Sequence, residues 1–558
     1  MSLARAATSA VAQSGAAEAT TSRSATRAAT WTLANIARDG RVRWPKRLAA
    51  VDGDVRLTFQ ELYEQSRGVA LLLQSRGASV NARIAVGGGS PVASIIAILG
   101  IAMAGATYVP IDTTQPLARL RFLLSDAEVQ GIIGDANLRR VVTDLGPRLI
   151  LDISELTRLA KDCASDCARA LATPSATAQA YLMYTSGSSG QPKGVQIEHH
   201  SLRAFFDAHN ERARIAEGDR CLNTGPFHFD VSLMDVFLPL YVGATVYFSG
   251  RLPIPTVVLR AIERHRITHL YAVGTVLALI TGDGHRLDEY DLSSLSTLQT
   301  GAEVCNVRVV NEWLKRLPLR FINSYGPTEA TVGCISFLKP ESGPLLESDC
   351  PIGTPHTGTR IELLDADGEF VTRPGLEGEI VIAGPQLMSS YWRRPTENER
   401  VFIVIEGERF YRTGDYAIRD ARGQYRIVGR RDDEVKFNGH RIHLNEVSTC
   451  LCTHACTESA LAGVLEVEPS QPEIVAILAT TAIPTLELAR ELDTHVSNRL
   501  PAVMRPTRWA FMHALPRLPS GKADREECLR RLALAIRASD ARYYVQVETA
   551  LSPLPRAA

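Results

Sequence analysis

Between Arg83 and Ile153, short apolar runs suited to strands alternate with helical patterns: RIAVGG, PVASIIAILGIAMA, ATYVPID, GIIGD and RLILDI. Strands that are apolar on both faces need cover on both faces, and crossover helices between parallel strands provide it. The rhythm predicts α/β units around largely parallel sheets. The stretch from Pro91 to Pro110 carries no charge and could be mistaken for a membrane span. Gly100 and Gly105 interrupt it and Asp112 follows at once, so a buried helix leading into a buried strand is expected.

The texture changes at Pro351. GTRIELLDADGEFV, GEIVIAG and GQYRIVGR are short alternating strands broken by Asp-Gly or Gly turns, which predicts a β-rich subdomain. A charged break, GRRDDE at Gly429–Glu434, follows. Beyond it, ALAGVLEV, PEIVAILAT, the helix TLELARELDTHVSNRL and RWAFMHAL suit a small α+β domain. Residues 1–30 are rich in Ala, Ser and Thr with scattered Arg, as a transit peptide would be; nothing there can build a core, so a disordered tail is expected. The expected fold is α/β. A large N-terminal domain of parallel-sheet α/β subdomains plus the β-rich subdomain spans 31–431. A small mobile α+β C-terminal domain spans 432–538, and a frayed tail covers 539–558.

Composition narrows the partners. Lys+Arg and Asp+Glu both number 61 in the 558 residues, a balance that argues against general nucleic-acid binding, which draws on a basic excess. Ten cysteines in so long a chain do not make a disulfide scaffold. The C-x-C-x-H-x-C run of Cys450, Cys452, His454 and Cys456 lacks a common zinc spacing, and small thiols packing at a helix end are expected rather than a metal site. A cytoplasmic protein without membrane or nucleic-acid partners is expected.

The most informative run is Tyr184-Thr-Ser-Gly-Ser-Ser-Gly-Gln-Pro-Lys193-Gly194. Hydroxyls at Thr185, Ser186, Ser188 and Ser189 alternate with Gly187 and Gly190, and Lys193 follows. Glycines let backbone N–H groups approach an anion, hydroxyls add donors and the lysine adds charge. Alone, such a loop is more often a flexible turn, and G-x-x-x-x-G-K-[ST] is absent.

YTSGSSGQPKG resembles the signature loop of the adenylate-forming superfamily, which contains acyl-CoA synthetases, luciferases and the adenylation domains of nonribosomal peptide synthetases. Other runs resemble that family's motifs in the family's order: LTFQEL (Leu57–Leu62), AGATYVPID (Ala104–Asp112), FHFDVS ending at Ser232, NSYGPTEAT from Asn323 and GEIVIAG from Gly378. They continue with YRTGD (Tyr411–Asp415), GRRDDEVKFNGHRIHLNEV from Gly429, LPAVMRP from Leu500 and PSGKADR ending at Arg525.

The resemblance implies an ATP-dependent ligase using Mg2+, in which a carboxylate attacks the α-phosphorus and pyrophosphate leaves. Two anions must meet, so cations and oriented donors are required. By resemblance, Thr185, Ser186 and Lys193, within the loop Thr185–Gly190, hold the β- and γ-phosphates. Asn323 meets the adenine edge, Tyr325 stacks on the ring beside Gly326, Thr328 contacts the α-phosphate and Glu329 binds Mg2+. Asp415 accepts from the ribose hydroxyls and Arg430 also reaches the nucleotide. Lys522 is the catalytic lysine of the first half-reaction. A hinge at Asp432 then turns the small domain so that Gly439 lines the path of an incoming thiol. In that motif His443 and Asn445 stand where the family usually has Glu and Gly.

Asp230 occupies the position that pairs with the substrate α-ammonium in amino-acid-activating members, a reasonable use for an anion in a mostly apolar pocket; the bland reading is a helix cap. The family's pocket positions carry over to Asp230, Val231, Met234, Tyr271, Gln299, Gly301, Ser324, Val332 and Gly333, with Lys522 closing the set. No second charge lines this set, which disfavours acidic and basic side chains; the bulk of Tyr271, Met234 and Gln299 disfavours Trp. FDVSLMD and YGPTEATV look closest to D-alanine–carrier-protein ligases, although those usually have Cys where Gly301 stands. A small neutral amino acid such as alanine, glycine or serine is expected, in D, L or β form.

No run after Lys522 resembles a carrier's attachment site, so the expected acceptor is the phosphopantetheine thiol of a separate carrier protein. Coenzyme A is the alternative acceptor. A non-catalytic nucleotide-binding protein of the same fold is the alternative of another class; Lys193, Glu329, Asp415 and Lys522 argue against it.

Overall fold

The computed structural model describes residues 30–141, 149–164, 171, 174–187, 190–250, 253–347, 350–430, 433–468, 471–517, 523–547 and 550–554. Its N-terminal part is built on two sheets. A seven-stranded sheet runs in the order Ser390–Tyr391, Lys193–Glu198, Gln179–Thr185, Thr107–Pro110, Arg83–Gly87, Gly131–Gly134, Leu149–Asp152. Its central pairs are parallel, as the apolar runs predicted, while Lys193–Glu198 and Ser390–Tyr391 add antiparallel edges. In the nine-stranded sheet, parallel strands from Leu48–Asp52 to Arg320–Tyr325 are flanked by antiparallel ones on both sides.

The uncharged stretch from Pro91 is a helix, Pro91–Met103, followed by the strand Thr107–Pro110. Ser90 caps the helix by accepting from Ala93 N, and Pro91 sits at its first turn, where a missing N–H costs nothing. Every residue from Val92 to Met103 is buried, the pattern of a core helix rather than an amphipathic one. Gly100 permits this: a Cβ there would stand 2.6 Å from Val69 Cβ on the helix Phe59–Ser75. That second helix opens with a capping box between Thr58 and Glu61, inside the LTFQEL motif. Among the described residues, no helix is long and apolar enough to cross a membrane.

The β-rich texture after Pro351 corresponds to an antiparallel sheet, Arg360–Leu364, Glu377–Ala383, Glu408–Arg419 and Phe402–Ile405, with Tyr425–Arg430 paired to Glu408–Arg419. Farther on, a hairpin of Glu434–Phe437 and His440–His443 precedes a five-stranded sheet covered by the helices Leu444–Cys452, Leu486–Ser497 and Arg525–Ala538. The segment expected as a frayed tail from 539 instead supplies two strands. Tyr543–Val547 pairs in parallel with Arg508–Met512, and Ala550–Pro553 forms the edge. Tyr544 fixes this arrangement, fully buried with its hydroxyl donating to Ser539 O at 2.7 Å. Cys450 is buried in the adjacent core while Cys452 is exposed, and among the described residues no cluster of His, Cys, Asp and Glu could hold a metal ion.

Candidate active site

Several expected site residues are the last residues of parallel strands: Tyr271, Gly301 and Tyr325 in the nine-stranded sheet, Thr185 in the other. Gly301 and Ser324 stand opposite each other in register. Carboxyl ends of strands are where open α/β sheets gather ligands, because the loops that follow are free to vary. A cavity of about 190 Å³ opens there, lined by Thr185, Ser186, Asp230, Val231, Met234, Tyr271, Gly301, Ser324, Gly326, Thr328, Val332, Gly333, Asp415, Arg430 and Gly439. The topology thus brings together residues 254 positions apart in the chain (Thr185 to Gly439).

Gln299 does not line this cavity. It is buried one layer behind, its Nε2 2.8 Å from Met234 Sδ and 3.2 Å from Ser324 Oγ. The expectation that it fills pocket volume directly is corrected: Gln299 shares the strand face of Gly301 and Ser324 but lies two residues deeper along the strand, where Met234 and Ser324 stand between it and the cavity. The opposite wall is strained. Val332, a β-branched residue, has φ 70°, and Gly333 N bonds Thr331 O at 2.9 Å across it, a γ-turn that few non-glycine residues adopt.

Asp415 and Arg430 face each other on paired strands, Oδ1 to Nη1 2.9 Å. The Tyr325 hydroxyl donates to Asp415 Oδ2 at 2.5 Å, and Lys436 Nζ lies 5.1 Å from the Tyr325 ring. Asn323 donates from Nδ2 to Pro351 O at 2.9 Å, behind the cavity wall. Glu329 has no exposure; its Oε2 accepts from Arg441 Nη1 at 2.5 Å, its Oε1 accepts from the Tyr391 hydroxyl at 2.5 Å, and Lys193 Nζ is 3.7 Å away. Burial alone would raise the Glu329 pKa, but Arg441, Lys193 and Tyr391 outweigh it and bring the carboxyl down to about 2. Burial lowers the Lys193 pKa, against the pull of Glu329.

Asp230 contrasts with these paired carboxylates. Burial raises its pKa, against a hydrogen bond from Thr328. It makes no ion pair among the described residues, although it faces the cavity. Its carbonyl, not its side chain, starts the turn into Leu233–Phe237, accepting from Leu233 N at 2.9 Å.

The hairpin Glu434–His443 closes the site. Its loop is Asn438-Gly439 with φ 49° and 75°, the two-residue turn that Asn-Gly favours between antiparallel strands. Gly439 N donates to Glu303 Oε1 at 2.5 Å, Ser186 Oγ donates to Arg441 O at 2.8 Å, and Arg119 pairs with the buried Glu446. The glycine-rich loop fits the same surface: a Cβ on Gly190 would stand 2.7 Å from Thr449 Oγ1. Beyond Gly439 lies a second cavity of about 660 Å³, which shares Asp112, His228, Asp230, Tyr271, Gly439 and His440 with the first.

The AMP-binding enzyme profile matches residues 38–392. The chain belongs to the AMP-binding enzyme family. A dimodular nonribosomal peptide synthase from Bacillus subtilis is 32% identical over 496 residues, covering 86% of this chain and 20% of that protein. Tyrocidine synthase 1 from Brevibacillus parabrevis is 29% identical, covering 87% of this chain and 43% of that protein. The chain therefore spans less than half the length of either synthetase. Holo-PA1221, a nonribosomal peptide synthetase protein containing adenylation and PCP domains bound to a vinylsulfonamide inhibitor, is 25% identical with a TM-score of 0.75, covering 90% of this chain and 84% of that one. A double mutant of o-succinylbenzoate CoA synthetase from Bacillus subtilis shares the fold at 24% identity and TM-score 0.77, covering 88% of this chain and 98% of that one. The adenylate-forming resemblance and its α/β architecture are borne out.

Within this family member, Ser188, Ser189, Asp432 and Lys522 lie outside the described residues. Near Lys522, Ala523 bridges to Arg517, and Arg525 pairs with Asp433 at 2.6 Å; none of these four lines either cavity. Arg441 and Tyr391 join the site without having been expected from the sequence. Arg441 sits in the quoted motif GHRIHLNEV, so a signal was present; Tyr391, in SSYWRRP, offered none.

Proposed function

We propose that this enzyme activates a small neutral amino acid with ATP as aminoacyl-AMP, releasing pyrophosphate, and then passes the acyl group to the phosphopantetheine thiol of a separate carrier protein. The observation that carries the reading is Asp230, a cavity-facing carboxylate that burial raises in pKa against the more distant pull of Arg441 and that makes no ion pair among the described residues. A substrate α-ammonium would supply the missing charge. Asp415 and Arg430 would hold the ribose, Thr328 the α-phosphate, and Lys193 with the Thr185–Gly190 loop the outer phosphates. Glu329 is an ionised oxygen donor of the kind Mg2+ takes, but Arg441 and Tyr391 hold its two oxygens and it lines neither cavity, so it would hold the metal only after rearrangement. When bound, the metal would neutralise phosphate charge; Arg441 must first release Oε2. Lys522 would meet the reacting carboxylate and α-phosphate as charge builds. The second cavity, joined at Gly439, supports entry of a long thiol-bearing arm.

The test is amino-acid-dependent pyrophosphate exchange across D-, L- and β-amino acids, followed by loading of a carrier protein or coenzyme A. Exchange driven only by fatty or aryl acids rejects the amino-acid reading. Loading of coenzyme A but no carrier rejects the acceptor. Lys522→Ala should nearly abolish exchange while ATP binding persists; unchanged exchange rejects the role of Lys522.

A further inference from the structure

The wall behind the amino-acid pocket is polar, which is unusual for a site that selects alanine or glycine. Gln299 Nε2 lies 2.9 Å from His209 Nε2 and 3.2 Å from Ser324 Oγ; Ser324 Oγ lies 3.0 Å from Ser336 Oγ; Ser336 Oγ lies 2.8 Å from His356 Nε2. All five residues are buried, but Ser324 also lines the cavity. The protons can be counted. Burial keeps His356 neutral, and His209, its pKa lowered by burial to about 4, is neutral as well. The two Gln299 amide protons serve His209 Nε2 and either Met234 Sδ, at 2.8 Å, or Ser324 Oγ; with the His356 proton on Nδ1, the Ser336 hydroxyl donates to His356 Nε2 and the Ser324 hydroxyl to Ser336. In that arrangement the Ser324 and Ser336 hydroxyls are both committed away from the pocket. Ser324 Oγ keeps at least one lone pair, an acceptor on the cavity wall.

Space adjoins that acceptor. Gly333 lacks a side chain, and a Cβ placed there would sit 3.8 Å from Phe205 Cε2, 3.9 Å from His356 Cε1 and 4.0 Å from Ser324 Cβ. The gap is the size of one methyl-like group in ordinary contact with its neighbours.

We infer that the substrate side chain is short and ends in a hydrogen-bond donor, serine being the simplest case, which donates to Ser324 Oγ while Ser336 and His356 hold that oxygen in its accepting orientation. Ser336 and His356 are positioning residues. The inference rests on the amino-acid reading above and narrows it. A pocket that leaves a buried acceptor unpaired discriminates against an analogue lacking the hydroxyl far better than an apolar pocket discriminates against an added one.

The test is pyrophosphate exchange with alanine and serine, each in both chiral forms, for the wild type, Ser336→Ala and His356→Leu. The wild type should favour serine over alanine by at least about 10-fold in kcat/KM. In both variants that ratio should fall at least about 5-fold, mainly through KM for serine. Two variants are used so that a folding defect in one does not decide the matter. Alanine preferred over serine, or an unchanged ratio in both variants, overturns the inference alone. Exchange with fatty or aryl acids but no amino acid overturns the amino-acid reading and this inference together.

Discussion

Arg441 Nη1 lies 2.5 Å from Oε2 of Glu329, a carboxylate with no solvent exposure. The two residues are 112 positions apart. The pair ties the hairpin Glu434–His443 to the carboxylate proposed to hold a metal, so a bound metal would compete with Arg441 for that oxygen.

Arg441→Met should therefore weaken the step that needs the hairpin docked. We expect thioester formation to fall about 10-fold more than pyrophosphate exchange. Loss of one partner of a buried pair costs about 3–5 kcal/mol when nothing else remains; Lys193 and Tyr391 remain beside Glu329, so the protein should still fold. Equal losses in both half-reactions would assign the pair to folding alone.

Asp230→Asn should reduce amino-acid-dependent exchange by about 100-fold or more, through loss of the charge proposed to pair with the ammonium. The same change should raise the melting temperature of the free enzyme. Burial holds the Asp230 pKa above the ordinary value of 3.8, so at neutral pH the folded state carries a charge it disfavours relative to the unfolded chain. A lowered melting temperature at pH 7 would count against an unpaired carboxylate.

Asp235, five residues on, is a second buried carboxylate, 4% exposed. Burial pushes its pKa up to about 7 despite hydrogen bonds from Asn223 Nδ2 at 2.8 Å and Thr224 N at 3.4 Å. Its raised pKa means the folded state keeps a proton the unfolded state has already lost, so stability falls as pH rises from about 4 to 7 and then levels. In Asp235→Asn that component disappears. Melting curves from pH 5 to 8 should show the variant gaining on the wild type across the window; parallel curves would reject the shift.

Gly439→Leu should act on the second half-reaction. Its φ of 75° strains any residue with a Cβ, by about 1–2 kcal/mol, and the new Cβ would stand 3.2 Å from Val273 Cγ2 where the two cavities join. Carrier loading should fall about 100-fold more than exchange. Comparable loading by the variant and the wild type would remove Gly439 from the thiol path.

Much of the site was legible because its motifs are local. Gly100 marked a buried helix, since only a residue without a side chain lets Pro91–Met103 approach Val69 so closely. The hairpin at Asn438-Gly439 was not anticipated, although Asn-Gly is a turn signal for two positions with φ above zero. The placement of Gln299 was missed because its depth behind Met234 and Ser324 depends on how the segments carrying His209 and Met234 pack over its strand, which no window of sequence records. The strands Tyr543–Val547 and Ala550–Pro553 were missed because each is too short to declare itself. Their pairing with Arg508–Met512 makes them strands.

The amino-acid sequence by itself determined the element types, the parallel sheets and the order of the family motifs, because periodicity and turn chemistry act over a few residues. Tertiary structure alone decided that Arg441 meets Glu329, that Asp230 faces the cavity without an ion pair among the described residues, and that a buried polar row runs from Gln299 through Ser324 and Ser336 to His356. Those outcomes depend on distances between segments far apart in the chain, and burial then sets how strongly each charge or proton is held.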